Sequence, residues 1–168
     1  MKEQLSEYHQ SIRGYFAGEL YNYMQKDDGI WVVTADLGYG MWDKVRDTYP
    51  DRFINTGASE QVAVGIALGL AEEKQTPIVY SITTFLLRRP FELIHNYAHH
   101  EQIPIKLVGS GRDRDYSHDG FSHWSDEAKD ILNLWDIKTF WPDTKEQVPQ
   151  LMDEFLYNGK PSFVSLRR

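Results

Sequence analysis

The run Arg52-Phe-Ile-Asn-Thr-Gly-Ala-Ser-Glu-Gln-Val-Ala-Val-Gly-Ile-Ala-Leu-Gly-Leu-Ala-Glu-Glu-Lys-Gln-Thr-Pro-Ile-Val-Tyr-Ser-Ile82 reads as strand, helix, strand. Residues 52–55 are a short strand, 59–74 a helix, and 77–82 a β-branched strand. Two strands joined through a helix lie parallel in one sheet, since the crossover returns the chain to the same edge. The alternation continues outward. Upstream, 3–26 is a helix carrying Leu5, Ile12, Phe16, Leu20 and Met24 on one stripe, stopped by Asp27-Asp28-Gly29. Strand 30–34, the turn Gly38-Tyr-Gly40 and a short helix at 41–48 follow. Downstream come helix 90–102, strand 105–108, helix 126–134, strand 137–140, helix 145–157 and strand 162–166. The pattern predicts an α/β fold of three layers, α/β/α, with a mostly parallel sheet and ligands at the carboxyl ends of its strands.

At 168 residues, without repeats or linkers, the chain reads as a single domain spanning 1–168. The absence of cysteine rules out disulfides and thiolate metal sites. With 25 acids against 18 bases the charge is −7, which argues against nucleic acid or an anionic membrane as partner. The longest uncharged apolar stretch, 62–71, is about half a membrane span, and the N-terminus has no apolar core for a secretion signal. The expectation is a soluble, cytoplasmic protein. Aromatic residues reach 14%, which suits either an interface or a core filled with large side chains.

Within the central helix, 62–71 is apolar on every side, with Gly65 and Gly69 one turn apart. A surface helix of a lone domain carries a polar face. This one is therefore either covered by its own domain or packed against a second chain, and the reading favours the second chain.

Phosphate loops, dinucleotide fingerprints, His-Glu-x-x-His and Gly-x-Ser-x-Gly are all absent. What remains is polar groups at strand ends: Asp36, Glu60, the Thr83-Thr84-Phe85 turn, and a loop at 109–125 with His118, Asp119 and His123. Glu60 is the sharpest. Acids in a first helical turn usually complement the helix dipole, but this one opens a long apolar run where water is scarce. Such a carboxyl holds a proton that a ligand can share. Taken alone, the His118–His123 loop is a solvated turn. His99 and His100 are adjacent, so on a helix they face different directions and read as surface.

These residues together resemble a known family. The run Asp51 to Ala71 is similar to the central signature of transketolases and deoxyxylulose-phosphate synthases. In the same order, Ser11-Ile-Arg-Gly-Tyr-Phe through Val33-Thr-Ala-Asp-Leu37 resembles the opening of their pyrimidine-binding (central) domain. Ser81-Ile-Thr-Thr-Phe-Leu-Leu-Arg-Arg-Pro-Phe91 resembles the turn that holds the aminopyrimidine ring, and His118-Asp-Gly-Phe-Ser-His123 their Asp-Gly-x-Thr-His loop. The resemblance implies a thiamine-diphosphate-binding fold. It gives Glu60 the family's catalytic task of hydrogen-bonding the cofactor's ring nitrogen, by which the cofactor's amino group comes to deprotonate the thiazolium carbon. It implies that Phe85 stacks on the ring, that Phe91 and Arg88 help wall it, and that Asp36 lies at the cofactor pocket. It places Asp119 and His123 near sugar hydroxyls, His123 also as a catalytic candidate, and Arg13 and Arg167 on a substrate phosphate.

Departures from the pattern define the expected partner. The family's diphosphate and Mg2+ are held by a Gly-Asp-Gly and an Asn-Asn, and this sequence has neither. The resemblance therefore implies a stand-alone pyrimidine-binding subunit of a split enzyme that transfers a two-carbon ketol unit. A second chain, of the diphosphate-binding N-terminal type, would carry the metal, giving a hetero-oligomer, most simply a dimer of heterodimers. The substrate would be a small sugar or ketoacid. Two rivals stay open: a subunit of a split 2-oxoacid decarboxylase, and a non-catalytic binding module on the same fold.

Overall fold

The computed structural model describes residues 11–168, so the expected opening turns at 3–10 lie outside the described residues. Six strands form one sheet in the order β2-β1-β3-β4-β6-β5, every pairing parallel. They are β1 (Ile30–Thr34), β2 (Phe53–Asn55), β3 (Thr76–Ile82), β4 (Lys106–Ser110), β5 (Lys138–Phe140) and β6 (Ser162–Leu166). β1 and β3 are neighbours inside the sheet, β2 and β5 are its two edges, and β6 is inserted between β4 and β5.

Strand alternation sorts the core onto two faces. On one, Ile78 and Tyr80 of β3, Val108 of β4 and Val164 of β6 meet α1 (Ile12–Met24) and α7 (Val148–Tyr157) through Phe16, Leu20, Met152 and Phe155. On the other, Val79, Leu107 and Phe163 meet α3 (Glu60–Glu72), α4 (Thr83–Arg88) and α6 (Ala128–Asn133). Ser11 caps α1, its hydroxyl accepting from the Gly14 amide at 3.2 Å. A short α2 (Asp43–Thr48) completes the layer beside β1. The three-layer α/β architecture is as the alternation predicts. Among the described residues no helix is long and apolar enough to cross a membrane.

Of the two readings of the apolar helix, α3, cover by its own domain all round is not what the structure has, which leaves the second-chain reading open. Ala63, Val64, Ala67, Leu68 and Ala71 are buried against the sheet, while Val62, Gly65 and Gly69 form an open outer face. The helix expected at 90–102 begins earlier, at Thr83, directly on the end of β3. After Pro90 the chain makes a short α5 (Phe91–Leu93) and then loosens into a π turn, Ile94–His100.

Close approach dictates one glycine. An added Cβ on Gly109 would lie 2.5 Å from Thr83 Oγ1 and 2.8 Å from the Phe163 ring, so only glycine lets β4 run under the start of α4.

At the opposite, amino edge of the sheet, Lys106 is fully buried and donates to Asn158 Oδ1 at 2.8 Å and Lys160 O at 2.6 Å. Burial lowers its ammonium to about 8. The folded state therefore binds fewer protons than the unfolded one between pH 8 and roughly 10.4, and stability rises with pH across that window. Tyr23, pushed up to about 12 by burial and its bond to Asp153, acts in the opposite sense above about pH 10. Unfolding free energies from urea titrations are expected to increase from pH 7.5 to 9.5 by on the order of 2 kcal/mol, and Lys106→Met should abolish the increase.

Candidate active site

Asp36, Glu60, Phe85, Asp119, His123 and Arg167 follow the carboxyl ends of strands, where the crossovers leave the strand ends open. Glu60 begins α3, just after β2, and is 2% exposed. Its two oxygens have different partners. Oε1 accepts from Ser81 Oγ at 2.7 Å, and Oε2 from Arg89 Nη1 at 2.6 Å. Ser81 is buried in β3, so the first contact is fixed by the sheet. Arg89 is half-exposed, and its guanidinium also lies 3.9 Å over the Phe85 ring. Phe85 in turn meets His123 edge-on, ring centroids 4.9 Å apart. Glu60, Phe85 and His123 are thus joined in one group by Arg89, a residue the sequence reading passed over for its neighbour Arg88. The available signal was helical spacing: Arg89 is four residues from Phe85, on the same face.

Other candidates make other contacts. Arg88 pairs with Glu127 at 2.7 Å on the exposed side. Phe91 stacks on His95 at 6.1 Å and tilts against Trp135 at 5.0 Å. Asp36, exposed after β1, accepts from Tyr39 and from Asn55 Nδ2, and those hydrogen bonds, the Tyr39 one first, hold its carboxyl below the usual range. Asn55 also takes the amides of Asp36 and Gly57, both at 3.0 Å, and so sets the spacing of the two loops that flank Glu60.

Arg13, at the start of α1, donates to Ser110 Oγ at 3.2 Å and Tyr116 OH at 3.1 Å, while its Nε is buried without a protein partner. It lines a cleft with Ser11, Gly38, Tyr39 and Tyr80. Arg167 is held 3.4 Å from Asp115, and Asp119 pairs with His118 at 3.0 Å. The loop carrying Asp119 and His123 leaves β4 through Gly111, whose φ of +81° and contact with the Tyr116 ring admit only glycine. Arg112 anchors it. Its buried guanidinium donates to Ser165 Oγ, Ser165 O, Pro142 O and Asp143 Oδ1, tying the loop to β6 and to the segment after β5.

One half of thiamine diphosphate fits these residues. A buried carboxylate with one oxygen pinned by Ser81 and the other met by a planar N–H donor, beside an aromatic face, matches an aminopyrimidine ring. The diphosphate and its metal lack the donor motifs they would need in this sequence.

A parallel sheet with a buried glutamate opening the second crossover helix, above an aromatic turn, defines a thiamine-diphosphate-binding domain. The family model "Transketolase, pyrimidine binding domain" matches residues 9–168, and the chain belongs to that family. A 6-deoxy-6-sulfo-D-fructose transketolase subunit from Clostridium sp. (strain MSTE9) is 27% identical over 94% of this chain and 49% of its own length. A 1-deoxy-D-xylulose-5-phosphate synthase from Listeria monocytogenes is 28% identical over 86% of this chain and 24% of its own. The chain therefore spans half or less of these relatives. A structure titled "Split gene transketolase, inactive beta4 tetramer" superposes with a TM-score of 0.82 over 94% of this chain and 51% of that one, at 22% identity, a likeness of fold. The family implies thiamine diphosphate as cofactor.

Proposed function

We propose that this chain is the pyrimidine-binding subunit of a split, thiamine-diphosphate-dependent, transketolase-like enzyme of the cytoplasm that transfers a two-carbon ketol unit. The observation that carries the proposal is the buried Glu60 carboxylate, pinned through one oxygen by Ser81 and presenting the other beside Phe85. Bound there, the cofactor supplies the carbon–carbon bond chemistry. This chain's residues have simpler tasks. Glu60 would hold a proton at the ring nitrogen, Phe85 would support the ring's face, and Phe91 and Arg88 would flank it once turned inward. His123 and Asp119 would meet sugar hydroxyls, Arg13 and Arg167 a substrate phosphate, and Asp36 would border the pocket. A partner chain of the diphosphate-binding type would bring Mg2+ and the diphosphate site.

Support for a partner comes from the open apolar face of α3, where Val62 is 51% exposed and Gly69 has open space above it. A related transketolase subunit and a split-gene transketolase of similar fold support the same reading. The sequence without Gly-Asp-Gly or Asn-Asn gives the decisive test. In calorimetry, the purified chain with Mg2+ is expected to bind thiamine diphosphate weakly or not at all. Adding a chain that carries both motifs should restore binding. Micromolar, magnesium-dependent binding by this chain alone would overturn the split-enzyme proposal.

A further inference from the structure

The π turn Ile94–His100 places three histidines together where an α-helix would separate them. In an α-helix His99 lies over His95, and His100 is turned away from both. Lengthening the turn to i→i+5 sets residues i+4 and i+5 on either side of i, so both rings face His95. Ring centroids are 5.6 Å apart for His95–His99, 4.7 Å for His95–His100 and 4.6 Å for His99–His100. The expectation that adjacent histidines point apart fails here for that reason.

The nitrogens are spaced for a shared ion. His95 Nε2 and His100 Nε2 are 3.3 Å apart. Two ligands on a tetrahedral zinc, at about 2.0–2.1 Å each, are themselves separated by about 3.3 Å. A ligand nitrogen of each of the three lies within 4.8 Å of the others. His99 Nδ1 accepts from the Asp136 amide at 2.8 Å. Asp136 is exposed, so water can take over that amide when the His99 ring turns to offer its lone pair. The His95 ring is half-buried and stacked on Phe91, and its Nδ1 has no partner, so this imidazole is oriented by packing.

We infer that His95, His99 and His100 form a binding site for one divalent transition metal of the zinc class, with a fourth position left to water or an outside ligand. Imidazole donors suit Zn2+, Cu2+ and Ni2+, whereas Mg2+ takes oxygen ligands, so this site differs in kind from the one the family's diphosphate requires. Occupancy would fix the π turn and, through His95, the Phe91 ring.

The test uses the purified full chain without a polyhistidine tag. Titration with ZnCl2 at pH 7.5 is expected to give one site per chain with micromolar or tighter affinity, and CoCl2 should produce the visible absorption of a tetrahedral nitrogen site. His100→Gln, at an exposed position, should weaken zinc about tenfold or more, as should His95→Gln, while His118→Gln on the distant loop should leave it unchanged. Millimolar or absent zinc binding, or binding indifferent to both His95→Gln and His100→Gln, would overturn the inference. None of these readouts depends on thiamine diphosphate or on a partner.

Discussion

Glu60→Gln is expected to slow hydrogen exchange at the cofactor's thiazolium carbon by ~10²–10⁴-fold in the reconstituted complex, the usual worth of an acid–base group. The substitution tests the proton and little else. Glutamine has the same length, its amide can meet the Ser81 hydroxyl, and its carbonyl can accept from Arg89, so the contacts that position residue 60 can persist. What it cannot do is give or take a proton at the ring nitrogen. His123→Ala should separate from it. His123 touches the edge of Phe85 and has no contact with Glu60 among the described hydrogen bonds, so its loss should weaken substrate handling with exchange near normal. Deuterium exchange without sugar present distinguishes the two. Equal exchange rates in wild type and Glu60→Gln would reduce Glu60 to a helix-end charge and remove the catalytic assignment.

The second large effect is structural. Arg112→Met should cost about 3 kcal/mol, because methionine fills the space but leaves the buried Pro142 and Ser165 carbonyls without a donor. Asp143, exposed at 66%, regains water and adds little. The damage should be local as well as global: amides of residues 111–125 should exchange faster, since the guanidinium makes two of the hydrogen bonds that tie that loop to β6. Urea denaturation with residue-resolved hydrogen exchange measures both. A loss under about 0.5 kcal/mol, with the loop still protected, would mean that Gly111, Tyr116 and the Asp113–Ser125 bridge hold the loop unaided.

The fold was legible because its signals are local and repeated. β-branched runs alternate with helical stripes, and residues 52–82 alone imply two parallel strands of one sheet, which the structure sets on either side of β1. Glu60 was legible because an acid before ten apolar residues is conspicuous. Arg89 was not, since choosing between two adjacent arginines depends on which points toward a carboxylate 29 residues away in sequence. Arg112 was likewise hidden: its four acceptors come from segments at 142–143 and 165 that only the folded sheet brings near. The π turn has no sequence signature of its own, so the histidines on it were read with α-helical spacing.

Arg89 has a consequence for the order of events. Its guanidinium is flat, donates to Glu60 and lies on Phe85, so it occupies the place that the proposed function gives to the pyrimidine ring. On the proposed function, loading would be an exchange in which Arg89 leaves Glu60 as the ring enters, and the ring would compete with an occupant whose local concentration is set by the chain.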